Sequence, residues 1–187
     1  MSKIDNNPLL KGARGMLGNT MYYREVDGQI QMANKPKKRK FFTPRQEAVQ
    51  TEFLKARNYA KKQIGNDDFK KLYAEGITTK LKSAYAVAVS DYLNAPVIDL
   101  IDTTAYKGNP GDLIEVEARD DFRVTEVKVE VTDGDGNLIE AGSATPAEIK
   151  DTWVYEATVA NPSVAGTVIK AIAFDRPGNV TTLEKGI

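Results

Sequence analysis

The spacing of apolar residues changes once along this chain. From about position 43 to position 93 they recur every three or four residues, and from position 97 onward they alternate with polar ones. The first period belongs to a helix with one apolar stripe, the second to a strand with one face inward. Val49, Phe53, Ala56, Ala60 and Ile64 form the first stripe. Thr43-Pro44-Arg45-Gln46 supplies a capping side chain, a proline at the first helical position and a glutamine that can reach back, so a helix starts there. Gly65-Asn66 stops it. A short helix over 67–75 places Phe69, Leu72 and Tyr73 on one side and ends at Gly76. A third over 79–93 aligns Leu81, Tyr85, Ala88 and Tyr92. These stripes predict the mutual core of a small helical array rather than a ligand groove.

Ahead of the helices, 19–24 has strand propensity, Asp27-Gly28 is a turn dipeptide, and 29–32 provides a return strand, which together predict a β-hairpin. Gly12, Gly15 and Gly18 read as a flexible lead-in. They lack the Gly-Lys-Ser/Thr ending and the preceding apolar strand of a phosphate loop. After Pro96, seven strands are predicted over 97–101, 112–118, 124–132, 138–142, 152–159, 167–174 and 180–183. Inward positions are Ile114/Val116/Ala118, Val127/Val129/Val131 and Trp153/Tyr155/Ala157/Val159, with Trp153, the one tryptophan, expected to anchor the core. The fold class is therefore α+β in two domains, a hairpin-plus-helix domain over 1–95 and an all-β sandwich over 96–187. The boundary falls at Asn94-Ala95-Pro96, where proline ends a helix and biases its predecessor to extended geometry.

Charge sharpens this division. The 187 residues hold 26 Lys plus Arg and 26 Asp plus Glu, a formal net charge of zero. Up to Asn94 the chain carries 18 cations and 9 anions, and beyond it 8 and 17, so the two parts are +9 and −9. Such asymmetry points to a polyanion, an acidic protein surface or head-to-tail contact between copies; two domains with unlike surfaces would show it too. There is no His and no Cys, which excludes imidazole and thiolate metal sites, disulfides, and Ser-His or Cys-His catalysis. No cofactor is implied. The start of the chain lacks the apolar run of a signal peptide, and no stretch is long enough to span a membrane, so the expectation is a protein made and kept in the cytosol.

The sharpest charge feature is Lys35-Pro36-Lys37-Lys38-Arg39-Lys40, five cations in six residues. With Arg45 it reads as a clamp on an acidic partner or on phosphates, or as a solvated linker. Tyr22, Tyr23, Phe41 and Phe42 are candidates for stacking on single-stranded bases. In the acidic half, Asp133, Asp135 and Asn137 alternate like the oxygens of a calcium loop, but position 12 of that loop is Ala144 instead of the bidentate Glu. A hairpin turn accounts for the same residues. Asp120, Asp121 and Asp175 form a second weak cluster of strand-end oxygens. No pair of carboxylates is spaced persuasively for glycoside hydrolysis.

Ala171-Ile-Ala173-Phe-Asp175-Arg-Pro-Gly178-Asn179 resembles the Ala-x-Asp-x-x-Gly-Asn signature of bacterial and phage immunoglobulin-like domains. Asp120-Asp121-Phe122, Asp133-Gly-Asp-Gly136-Asn137 and Trp153-x-Tyr155 are similar to features at like places in that family. The resemblance covers nearly all of 96–187 and implies an immunoglobulin-like sandwich; it carries little about activity. Gly18-Asn-Thr-Met-Tyr-Tyr-Arg, Thr43-Pro-Arg-Gln46 and Phe53-x-x-Ala56-x-x-Tyr59-Ala60-Lys61 resemble uncharacterised proteins of phages and prophages of gut bacteria, crAss-like phages among them. That group offers no catalytic motif to transfer.

A cytosolically assembled particle accounts for a sandwich without an export signal. The expected function is that of a non-enzymatic virion protein, for example a capsid decoration or a portal- or neck-associated component assembled in the host cytoplasm. Its partners would be other virion or capsid proteins, with homo-oligomers compatible and no membrane. Nucleic-acid binding through 35–40 is the alternative, and a carbohydrate-binding or carbohydrate-active protein a further one.

Overall fold

The computed structural model describes residues 2–3, 12–37 and 41–187. It is a mixed α+β structure of α-helices and three antiparallel sheets, divided into two compact units, Met1–Glu47 and Ala48–Ile187.

In the first unit, β1 (Ser2–Lys3), β2 (Gly15–Leu17), β3 (Met21–Val26) and β4 (Gln29–Asn34) form a sheet in the order β1-β4-β3-β2. The expected hairpin is β3–β4. Val26 faces Gln29 across a two-residue loop, and Asp27 and Gly28 have φ of 51° and 77°, the paired positive angles that a type I′ turn requires. The glycine-rich lead-in is not wholly irregular, because Gly15–Leu17 pairs with β3. Among the described residues, none in this unit is buried. Helix α1 (Pro44–Ile64) begins at its end. Thr43 Oγ1 accepts from the Gln46 amide at 3.3 Å and Gln46 Oε1 accepts from the Thr43 amide at 3.2 Å, a reciprocal capping box.

In the second unit, α1 is followed by α2 (Asp67–Ala74) and α3 (Ala84–Leu93). The third helix starts five residues later than its apolar spacing suggests. The 78–81 segment turns back on itself, Thr78 N donating to Leu81 O, and Ser83 Oγ then caps α3 by accepting from the Ala86 amide. Two four-stranded sheets follow. One is β5 (Val97–Asp102), β6 (Leu113–Arg119), β10 (Thr152–Glu156) and β9 (Thr145–Pro146); the other is β12 (Val180–Gly186), β11 (Val168–Asp175), β7 (Val124–Thr132) and β8 (Leu138–Ser143). All seven expected strands are present. The two-residue β9 escaped the pattern because it is too short to alternate.

The sheets share one core, in which Ile101, Ile114, Val116, Val127, Val129 and Ile169 are almost wholly buried. Trp153 packs at the margin of that core and is only half-buried; Tyr155, two residues on, takes the interior place expected of it. Val159 lies beyond the end of β10 and is exposed. A second cluster joins Ala60 of α1, Tyr73 of α2 and Val87 and Ala88 of α3 to Phe122 from the β6–β7 loop. Helices and sheets therefore share packing, and the boundary expected at Asn94–Pro96 falls inside the second unit. The α1 stripe is buried only from Ala56 onward, since Val49 and Phe53 remain 63% and 48% exposed.

Candidate functional site

The candidate docking residues lie in the first unit. Lys35 Nζ donates to Asn19 Oδ1 at 2.6 Å, and its amide donates to Thr20 O, so the start of the basic run is tied to the β2–β3 turn. Lys37 and Arg45 are exposed. Lys38, Arg39 and Lys40 lie outside the described residues. Tyr22 pairs with Met16 and Ala33, whereas Tyr23 pairs with Gly15 and Met32. Neighbours in a strand point to opposite faces, so the two tyrosines cannot stack on one strand of bases together. Phe41 is 88% exposed and Phe42 41%. The Tyr23 face also carries Leu17, Met21, Ile30 and Met32, which makes it the more apolar one. A hollow of about 440 Å³ lined by Arg14, Tyr23 and Glu25 opens on this unit; Arg14 is ion-paired to Glu25.

The calcium-like loop is closed on itself. Asp133 Oδ1 accepts from the amides of Asp135 and Asn137 at 3.0 and 2.8 Å, and Oδ2 accepts from Asn137 Nδ2 at 3.0 Å. These bonds hold the Asp133 carboxyl below the usual carboxylate range. The loop is a hairpin turn pinned by its first residue. Among the described residues, no group of three or more acidic side chains is gathered to hold a metal ion.

Asp120, Asp175 and Asp91 serve a different purpose. Asp91 is fully buried and accepts from the Tyr73 hydroxyl at 2.5 Å, which in turn is 2.7 Å from the Tyr59 hydroxyl. Burial, with Asp120 and Asp175 nearby, pushes Asp91 up to about 7 against the opposing pull of the Tyr73 bond. Asp175 accepts from the amides of Gly178 and Asn179 at 2.8 and 2.6 Å. Asn179 Nδ2 donates to Asp175 and lies within 3.4 Å of the carbonyls of Asp91, Tyr92 and Asn94. The Asp-x-x-Gly-Asn turn thus caps the end of α3. A carboxyl near neutrality would suit proton transfer, yet this one is sealed from solvent and spent on joining helices to sheet.

A cleft of about 330 Å³ runs between the β6–β7 and β9–β10 loops, lined by Phe122, Trp153, Ile149, Asp120, Arg123 and Lys150. In the first of the two sheets, β6 alternates cleanly, Ile114, Val116 and Ala118 inward and Leu113, Glu115, Glu117 and Arg119 outward. Register places Asp102 beside Glu115, Leu100 beside Glu117 and Glu156 beside Leu113. Among the described residues, Glu115, Glu117 and Glu156 have no cation within ion-pair distance, while Arg119 is held by Asp99 at 2.6 Å. The outward face of the other sheet balances itself. Lys170 pairs with Glu130 at 3.4 Å, and Lys128 lies 3.6 Å from Glu126 and over the Phe174 ring. The sequence pattern marks Glu115 and Glu117 as outward; that they share a face with Asp102 and Glu156 depends on register.

No protein-family model matches the chain, and a search of curated proteins finds no match. Among the described residues, no helix is long and apolar enough to cross a membrane.

Proposed function

We propose that this chain is a non-enzymatic structural or attachment protein of a phage particle, such as a capsid decoration or a portal- or neck-associated component. Its basic first unit docks on an acidic protein surface, and its second unit is an immunoglobulin-like sandwich that is displayed. One observation carries this reading. Residues 1–47 hold 10 Lys plus Arg against 4 Asp plus Glu, +6, and the remaining chain holds 16 against 22, −6, while no described residue of the cationic unit is buried. A small sheet that keeps Met21, Tyr23, Ile30 and Met32 half in water gains stability by meeting another surface. Its charge selects an acidic one.

The orders β5-β6-β10-β9 and β12-β11-β7-β8 support the immunoglobulin-like reading. They correspond to strands A-B-E-D and to G-F-C with one added strand. The Asp175–Asn179 turn closes the penultimate strand, which supports the same reading.

Mass spectrometry of gradient-purified phage particles tests the setting. The chain is expected in the particle fraction at constant copy number and is expected to leave it in about 0.5 M salt, where screening shortens to a few ångströms. Its confinement to the particle-free lysate overturns the reading. Single-stranded nucleic acid is the competing partner, favoured by the exposed Phe41 beside the basic run. Oligonucleotide binding with a steep salt slope, abolished by replacing Lys37 to Lys40, would move the assignment there.

A further inference from the structure

Resting on that reading, we propose that the acidic surface met by the basic unit belongs to a second copy of this chain, and that it is the outward face of β5, β6 and β10.

Among the described residues, Glu115, Glu117 and Glu156 of that face have no cation within ion-pair distance. Asp102 stands directly across from Glu115; its carboxylate is held by the Thr104 amide at 2.9 Å with Lys185 near, so the charge left to be answered is that of the glutamates, and like charges in opposed strand positions disfavour a sheet. Glu117 lies two residues along the same strand, and Glu156 on the neighbouring one adds a further carboxylate. Leu100 and Leu113, 45% and 39% exposed, share the surface. A partner that is both cationic and partly apolar would neutralise the carboxylates and cover the leucines in one contact. The unit Met1–Glu47 has that chemistry, with a charge of +6 and the half-exposed face of Met21, Tyr23, Ile30 and Met32. The other sheet's outward face has no such need, because Lys170 and Lys128 already answer Glu130 and Glu126.

The two patches differ, so the contact is heterologous. Copies joined this way form rings if the rotation closes and open chains if it does not.

Sedimentation velocity on the full chain tests this, from about 1 to 100 μM and in about 0.05 and 0.5 M NaCl. The sedimentation coefficient should rise with concentration at low salt, and association should weaken at least about tenfold at high salt. A head variant, Glu115→Lys with Glu117→Lys, and a foot variant, Lys37→Glu with Lys40→Glu and Arg45→Glu, should each remain monomeric. Mixed in equal amounts, they should assemble, because each then offers the charge the other has lost. The neutral pair Glu115→Gln with Glu117→Gln should weaken association about tenfold without reversing charge, which guards against a reversal that fails to fold. Monomers of the wild-type chain at the highest concentration in low salt overturn the inference, as do wild-type association by either reversed variant or a mixture that stays monomeric. The particle reading fails separately. A monomer that still co-sediments with particles overturns only the self-contact, and assemblies of a chain absent from particles overturn only the particle setting.

Discussion

Asp91 is the side chain on which the most distant parts of the second unit converge. It faces Tyr73 from α2 and, through it, Tyr59 from α1, with Asp175 and Arg176 from the β11–β12 turn and Asp120 from the β6–β7 loop nearby. Its ordinary value is 3.8 and burial raises it to about 7, so the folded state holds a proton that the unfolded state releases. Stability from this group is complete at low pH, declines as pH rises from about 4 to about 7, and is constant above. Asp91→Asn keeps an acceptor for Tyr73 and removes the charge. Urea midpoints measured across that window should fall in the wild-type protein and stay nearly level in the variant, apart from the smaller slope of Asp175, which shifts in the same direction. Asn179 gives a companion test. Asn179→Ala leaves the carbonyls at the end of α3 without their donor and should cost about 1–3 kcal/mol in chemical denaturation. The sequence marked Asp175 and Asn179 through the resemblance of the Asp-x-x-Gly-Asn turn to a known signature. It did not single out Asp91, since a lone aspartate late in an apolar helix has no local mark of burial.

At the scale of elements, the loop residue Phe122 is one of the ties between the helices and the sheets. Phe122 stacks on Tyr73 with ring centres 4.7 Å apart, and Gly76, just past α2, makes room for it. A Cβ at Gly76 would stand 2.8 Å from Val87 Cγ1 and 2.9 Å from Phe122 Cδ2. Gly76→Ala should therefore lower the thermal midpoint by the equivalent of about 1–3 kcal/mol, the usual cost of overpacking, despite the lower conformational entropy that alanine gives the unfolded chain. A scan of unfolding followed by circular dichroism and by Trp153 emission would measure it. Element types were legible because each depends on neighbours in sequence, as at the Thr43–Gln46 box and the alternation of Ile114, Val116 and Ala118. The errors have a shared physical origin. The stripe of Val49 and Phe53 is as good a helical stripe as that of Ala56 and Ala60, but only the latter pair is buried, and Ala60 joins the cluster of α2 and α3. Trp153 and Tyr155 share a face of β10, and position along the strand, not parity, decides which of them is central.

For the whole molecule, the structural division at Glu47 and the expected one at Asn94–Pro96 make different demands. If α1 to α3 and the sheets are one cooperative body, a chain lacking 1–47 should unfold in a single transition with Trp153 emission unchanged. A chain lacking 1–95 loses Tyr73 beneath Phe122 and the α3 carbonyls above Asn179, and should be less stable than the longer fragment by several kcal/mol, about the sum of a lost aromatic contact and an uncapped turn. Equal stability of the two fragments would restore the boundary at Pro96.

Residue order along the chain was enough to fix the periods, the Thr43–Gln46 cap, the Asp27-Gly28 turn and the opposition of a cationic beginning to an anionic end, because each rests on spacing of a few residues or on composition alone. Tertiary structure decided which apolar stripe finds a partner, which aspartate loses its water, and which glutamates stand side by side across β5, β6 and β10. Those outcomes depend on register and on contacts between residues far apart in sequence, such as the 88 positions between Asp91 and Asn179, and no local pattern encodes them.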